Sequence, residues 1–419
     1  MSMEGSLLGG AAGGAAGGAA GGAAGGAAGG SRKLVLGDSY ADSLYADALV
    51  RHREAIVDLS PDANQVLWGL GDRKYEGPAV LRDRHLFRWD PWVRGYLASF
   101  ECTRYMDFEL KQRSVGEGSR AKVTPSLILR VREPGMAAVE MFRMTRPTQA
   151  VFDEQLKLVL NWAELRAERA AEILTQIDNQ TPFWGSLIPF QTERLKHTRE
   201  LLEIAVEMAV VVEMRFKHEL AGWRPVDYSW LVQPMITTPG HGSIPSGHCT
   251  QSYVVVEVLK ALLNCCRGEN GLAPASDRVQ AAQASINQQM QRTAARIATN
   301  RVVAGLHFPV DNVAGRLLGT VLGEYFVYRC GYRIKTEEGL ALKVWHRGAF
   351  DGTRFPGGED FDPLRQPFWD GGALRRKAYY QYRPAGYRAA PDKPPSSLLE
   401  ALWKKAVDEL DALELPFKA

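Results

Sequence analysis

Between residues 148 and 328 the apolar positions recur at helical spacing. Phe152, Leu156, Leu158, Val159, Trp162, Leu165, Ala170, Ile173 and Leu174 are interleaved with charges, the pattern of a helix with one face on a core. The same period predicts helices over 201–220, 252–266, 278–303 and 311–328, so this half of the chain reads as a helical bundle. The segment before it keeps no such period. Residues 34–147 mix Pro, Gly and aromatics with short β-like runs such as 126–131. After Cys330 the Gly, Pro and aromatic residues return, and a short amphipathic helix is expected over 396–413, with Leu398, Leu399, Leu402, Trp403, Ala406, Val407 and Leu410 on one side, to dock on this fold or on a partner. Residues 9–30 alternate Gly-Gly with Ala-Ala, a low-complexity run that cannot bury a core and reads as a flexible tail. The expected organisation is a tail over 1–33, a mixed and less regular accessory region over 34–147, a helical bundle over 148–335, and an arm with an amphipathic helix over 336–419. The fold class is mainly α.

Charge narrows the possible partners. Fifty-one Lys and Arg against 48 Asp and Glu leave a net charge of +3, which gives no general attraction to nucleic acid or to an anionic membrane, so an anion site must be built locally. The basic and aromatic run at 375–383 is expected to be an exposed arm packing on a neighbouring subunit, not a nucleic-acid contact. The five cysteines have neither metal-ligand spacing nor the even count of a disulfide framework, which favours a reducing compartment. There is no basic leader followed by an apolar stretch and no apolar run of about 18 residues. A cytoplasmic protein with no membrane span is expected.

Three fragments of the bundle can do chemistry. In the first, Lys217 sits on the last turn of a helix ending near Gly222, and Arg224 precedes Pro225, which stops its continuation. The second is Pro245-Ser246-Gly247-His248, entering a helix whose free N–H groups and positive dipole end favour an anion, with a hydroxyl from Ser246 and close backbone approach at Gly247. The third runs from Arg301 through His307 to Pro309 and Asp311, where the carboxylate can hold the imidazole in one tautomer and raise its basicity. Each fragment alone has an ordinary structural explanation. Together they supply three cations, a hydroxyl, a helix start and two imidazoles, a cradle for a tetrahedral oxyanion.

In that order, Lys-x6-Arg-Pro, Pro-Ser-Gly-His and Arg-x5-His-x3-Asp resemble the tripartite signature of the superfamily that joins vanadium haloperoxidases to type 2 phosphatidic acid phosphatases. The resemblance covers 217–311 closely and 152–328 loosely, and it implies that family's helical bundle. Asn300 departs from it, because the phosphatases commonly carry Ser before the arginine. Two chemistries follow from the resemblance. In a haloperoxidase, vanadate is the cofactor and His307 its one protein ligand to the metal, while Lys217, Arg224, Ser246, Gly247 and Arg301 neutralise its oxygens. Hydrogen peroxide and halide are the substrates: His248 acts as acid and base, Lys217 polarises the histidine-ligated peroxovanadate, and hypohalous acid is released, with a small organic acceptor and a homo-oligomer also implied. In a soluble acid phosphatase, the alternative, His307 forms a phosphohistidine, His248 protonates the leaving alcohol and Asp311 orients His307.

The chain favours the peroxidase on three grounds. It is longer than the secreted phosphatases and shows no membrane span, and the helix at 152–172 looks like bacterial haloperoxidase-related proteins. His241-Gly-Ser-Ile-Pro-Ser-Gly-His248-Cys-Thr-Gln is similar to the bromoperoxidase form, with a histidine seven residues before the motif histidine. Fungal chloroperoxidases carry phenylalanine there, so the resemblance assigns His241 to bromide or iodide selection.

Overall fold

A computed structural model describes residues 43–56, 86–87, 89–115, 122–134, 137–177, 180–190, 194–265, 277–336, 339–363, 369–370, 373–374, 377–385 and 395–413. The Gly/Ala repeat at 9–30 lies outside the described residues. The chain separates near residue 95 into a small unit, 32–94, and a large one, 95–419. The small unit contains helix α1 (Ser43–Ile56). After α2 (Pro91–Thr103), the large unit carries β1 (Met106–Val115), β2 (Lys122–Val131), β3 (Val139–Thr145), α3 (Gln149–Trp162), α4 (Arg166–Thr175), α5 (Lys196–Leu220), α6 (Gly247–Cys265), α7 (Asp277–Val303) and α8 (Pro309–Arg329). Strands β4 (Arg333–Thr336), β5 (Gly339–Leu342), β6 (His346–Asp351) and β7 (Tyr380–Pro384) precede α9 (Ser397–Asp411). The protein is mainly helical. None of the described helices is long and apolar enough to cross a membrane.

Helix α6 is the centre of the bundle, buried from Gly247 to Leu259 without interruption. It begins before the apolar period does, because its first turn carries His248, Thr250 and Gln251 and is buried for a different reason: it faces the site. Helix α8 crosses it along a glycine seam. A Cβ at Gly315 would lie 2.8 Å from the Ser246 carbonyl oxygen, one at Gly323 2.7 Å from the Cβ of Glu257, and one at Gly319 would run into the Thr250 carbonyl. Backbone therefore packs on backbone, and the two helix starts are brought so close that the Ser246 N–H donates to the main-chain oxygen of Asp311 (3.0 Å).

A five-stranded sheet in the order β1-β2-β3-β6-β7 covers the bundle, antiparallel except for the parallel pair β3 and β6. It joins segments that precede and follow the bundle in sequence. Leu127, Leu129, Phe142, Met144 and Phe350 are buried, and Phe108 and Phe142 meet Phe216 of α5 edge-on at 6.1 and 5.7 Å. These contacts brace the turn of α5 that bears Lys217. The run expected to be an exposed arm is instead, where described, an edge strand of this sheet: Tyr380 and Tyr382 turn inward while Gln381 and Arg383 face out, the period of two that a strand imposes.

The C-terminal helix docks on this fold. Glu409 of α9 accepts from the backbone N–H groups of His197 (2.9 Å) and Thr198 (2.8 Å) and from Thr198 Oγ1 (2.9 Å), so a side chain from another helix caps the start of α5. Glu409→Ala is expected to cost about 1–2 kcal/mol, the worth of a lost cap, read as a lower urea midpoint at unchanged slope. An unchanged midpoint would contradict this role.

Candidate active site

The bends that end the helices place the site residues. Helix α7 stops at Val303 through a left-handed Gly305 (φ 79), with Gly305 N–H on Val302 O (2.9 Å) and Leu306 N–H on Arg301 O (3.0 Å), the two bonds of a Schellman cap. Pro309 opens the next helix, and Asp311 Oδ2 accepts the N–H of Phe308 (3.0 Å). Arg166 fastens the turn from outside, donating to the carbonyls of Val303 (2.9 Å), Gln233 (2.8 Å) and Val232 (2.8 Å). At the end of α5 the left-handed residue is Ala221 (φ 46), not Gly222. Gly222 serves close approach instead, since a Cβ there would lie 2.8 Å from Ile244.

These turns bring all nine residues of the sequence-derived set into one cluster. Lys217, Arg224, Ser246, Gly247, His248, Arg301, His307 and Asp311 are buried, and His241 is half-buried at the rim. Arg224 is the hub: it donates to His307 Nε2 (2.9 Å), to His241 Nδ1 (3.1 Å) and to the carbonyls of His241 (3.1 Å) and Leu306 (2.9 Å). Lys217 Nζ donates to the carbonyls of Ser243 (3.3 Å) and Pro245. Two cavities, about 620 Å³ over the outer face of the sheet and about 580 Å³ beside Trp162 and Arg169, contain none of these nine residues.

Both imidazoles have fixed tautomers. His307 Nδ1 faces Asp311 Oδ2 (3.2 Å), so the proton resides on Nδ1 and Nε2 keeps its lone pair for the Arg224 side. His248 Nε2 donates to the main-chain oxygen of Gln176 (2.9 Å), which leaves Nδ1 as the acceptor. Burial, then the nearby arginines, hold both rings well below the usual imidazole range and therefore neutral. Burial also lowers Arg224 to about 10 and Arg301 to about 9, still cationic at neutral pH, and it lowers Lys217 and raises Asp311 and Glu213.

The buried polar atoms here without a protein partner include Ser246 Oγ, His248 Nδ1, Nε and Nη1 of Arg301, and Asp311 Oδ1. Each such atom costs about 1–3 kcal/mol when left unpaired, and Ser246 Oγ and the two Arg301 nitrogens can donate. That donor set, with Lys217 and Arg224 beside it, fits a tetrahedral oxyanion. Vanadate fits the same set, because His307 Nε2 can serve as the single nitrogen ligand while the cations and hydroxyl take the oxygens.

Sequence reasoning missed the supports. Ser243 Oγ donates to Asp311 Oδ2 and anchors the carboxylate that orients His307. Gln176 holds His248 through its main-chain oxygen, and its side-chain Oε1 accepts from Arg301 (3.2 Å) and Asn300 (3.0 Å). Asn300, the departure from the family pattern, also donates to Glu172 (3.0 Å) and thus belongs to the layer beneath Arg301. Glu213 and Gln251 complete the floor, joined by a 3.0 Å hydrogen bond. Ser243 lies inside the motif stretch; Gln176 carries no sequence signal, since it lies 72 residues before His248 and outside the three fragments.

Residues 215–334 match the family model described as the VCPO second helical-bundle domain, a span that contains every one of the nine residues. A vanadium-dependent bromoperoxidase from Ascophyllum nodosum is 27% identical over 139 residues, which cover 29% of this chain. The chain spans a quarter of that relative's length. Among solved structures, a transmembrane PAP2-type phosphatidylglycerolphosphate phosphatase from Bacillus subtilis aligns with a TM-score of 0.33 and 17% identity, over 43% of this chain and 85% of the other.

Proposed function

We propose that the chain, whose residues 215–334 match the VCPO second helical-bundle domain and which is similar to a vanadium-dependent bromoperoxidase over 139 residues, is a vanadium-dependent haloperoxidase that uses hydrogen peroxide to oxidise bromide or iodide to hypohalous acid. The observation that carries the reading is the set of unpartnered buried atoms around two neutral imidazoles. When bound, vanadate supplies the Lewis acid that activates peroxide toward a halide. The chain's own residues do the rest. His307 holds the centre through Nε2, with Asp311 fixing the ring; Lys217, Arg224 and Arg301 compensate the oxyanion charge; and Ser246 and the start of α6 donate to its oxygens.

His248 favours this reading over the phosphatase. Its Nε2–H is engaged by Gln176, its Nδ1 lone pair is buried with no protein partner, and burial keeps it neutral. It is therefore set to take a proton from incoming hydrogen peroxide, whereas protonation of a leaving alcohol needs the imidazolium. His241, half-buried at the rim and bonded to Arg224, is the residue assigned to the halide in this reading.

Calorimetric titration with orthovanadate tests the cradle: one equivalent should bind, with phosphate competing, and absence of binding would refute the reading. His241→Ala is expected to keep that equivalent while lowering kcat/KM for bromide by about tenfold, near the worth of one charge-assisted hydrogen bond. Loss of vanadate from this variant would refute the role given to His241.

A further inference from the structure

Glu213 lies one turn before Lys217 on α5 and is completely buried. Gln251 Nε2 donates to its Oε1 (3.0 Å), while Oε2 is buried with no protein partner. The carboxyl occupies the room left by the missing side chain of Gly247: a Cβ at that position would lie 2.7 Å from Glu213 Oε1 and 3.4 Å from its carboxyl carbon. Gly247 is the motif glycine at the first turn of α6, so the carboxyl packs against the backbone of the cradle at a position that has no side chain. The groups that act on it are Lys217 from its own helix, Arg224 from the turn after that helix, and Cys249 with Gln251 from α6. A carboxylate here would oppose an arriving anion, whereas a carboxylic acid would offer it an O–H.

We propose that Glu213 is a further oxyanion-binding residue, whose carboxyl takes a proton from solvent as a tetrahedral oxyanion enters the cradle and presents that O–H to it. The inference rests on the oxyanion reading of the site. Burial raises Glu213 to about 7, so both forms are populated near neutral pH, and an added negative charge raises it further. Ionised Glu213 partly offsets the Lys217 charge through space, without a direct contact; protonated Glu213 leaves that charge to the oxyanion. One buried carboxyl thus couples anion binding to proton uptake.

The test is calorimetric titration with tungstate, a tetrahedral oxyanion whose own charge is constant around neutral pH, at pH 7 in two buffers of different ionisation heat. Wild type should take up a fraction of a proton per tungstate bound, up to about half, the part of this carboxyl that is ionised beforehand. In Glu213→Gln, which keeps the Gln251 contact, tungstate should still bind with uptake reduced to less than half of the wild-type value. Equal uptake in that variant, or none in wild type, would overturn the proposal while leaving the oxyanion site standing. If wild type bound no tungstate, the oxyanion reading would fall and the proposal with it. Should Glu213→Gln not fold, Gln251→Met withdraws the donor from Oε1 and should move the uptake maximum to higher pH; an unmoved maximum would overturn the assignment.

Discussion

Replacement of His307 by alanine is expected to lower the affinity for orthovanadate by more than about 100-fold, beyond the 10- to 100-fold typical of residues that merely support a ligand. The ring carries a fixed lone pair on Nε2 beside Arg224, because Asp311 holds its Nδ1 and Ser243 and the Phe308 N–H hold Asp311. Alanine removes that lone pair and leaves Arg224 Nη1 with the Leu306 carbonyl alone. Equilibrium dialysis with thermal unfolding as the control reads the effect: vanadium is lost and the melting profile is kept. Retention of a full equivalent by His307→Ala would show that the cradle holds the anion by charge alone and that the ligand assignment is wrong.

Gly319→Ala is expected to destabilise the protein by about 3 kcal/mol, the upper part of the range for overpacking a core. The added methyl would meet the Thr250 carbonyl, a backbone atom with no rotamer to give way, on a helix fixed by Gly315 above and Gly323 below. The same seam sets Ser246 against Asp311, so oxyanion affinity should fall together with stability. Gly185→Ala is the control, because nothing lies within 4 Å of its added Cβ; it should change the denaturation midpoint little. Equal midpoints for the two variants would mean that the helices can part without cost, against the close packing described.

The contrast between these residues shows what the sequence made legible. The helix breaks at Pro225 and Pro309, the motif at Pro245 to His248 and the Asp311 partner of His307 all depend on neighbours within a few positions, and local spacing suffices to find them. The glycine seam depends on a second helix more than 60 residues away, so its spacing of four looked like nothing in particular. The sheet is a stronger case: β3 and β6 pair in parallel across some 200 residues, and no periodicity within either strand announces the other. The edge strand was readable in part, since Tyr380 and Tyr382 alternate with Gln381 and Arg383, but the basic residues around it suggested an exposed arm. Glu213, four residues before Lys217, has the spacing of an ordinary surface ion pair. Only the packing of α6 over it turns it into a buried acid.

The account is tested most directly by loading purified protein with one equivalent of orthovanadate, adding hydrogen peroxide and bromide, and following bromination of a phenol-red acceptor, beside hydrolysis of phenyl phosphate by vanadate-free protein from the same batch. Vanadate-dependent bromination with little hydrolysis is the predicted result; hydrolysis without any vanadate-dependent bromination would contradict it.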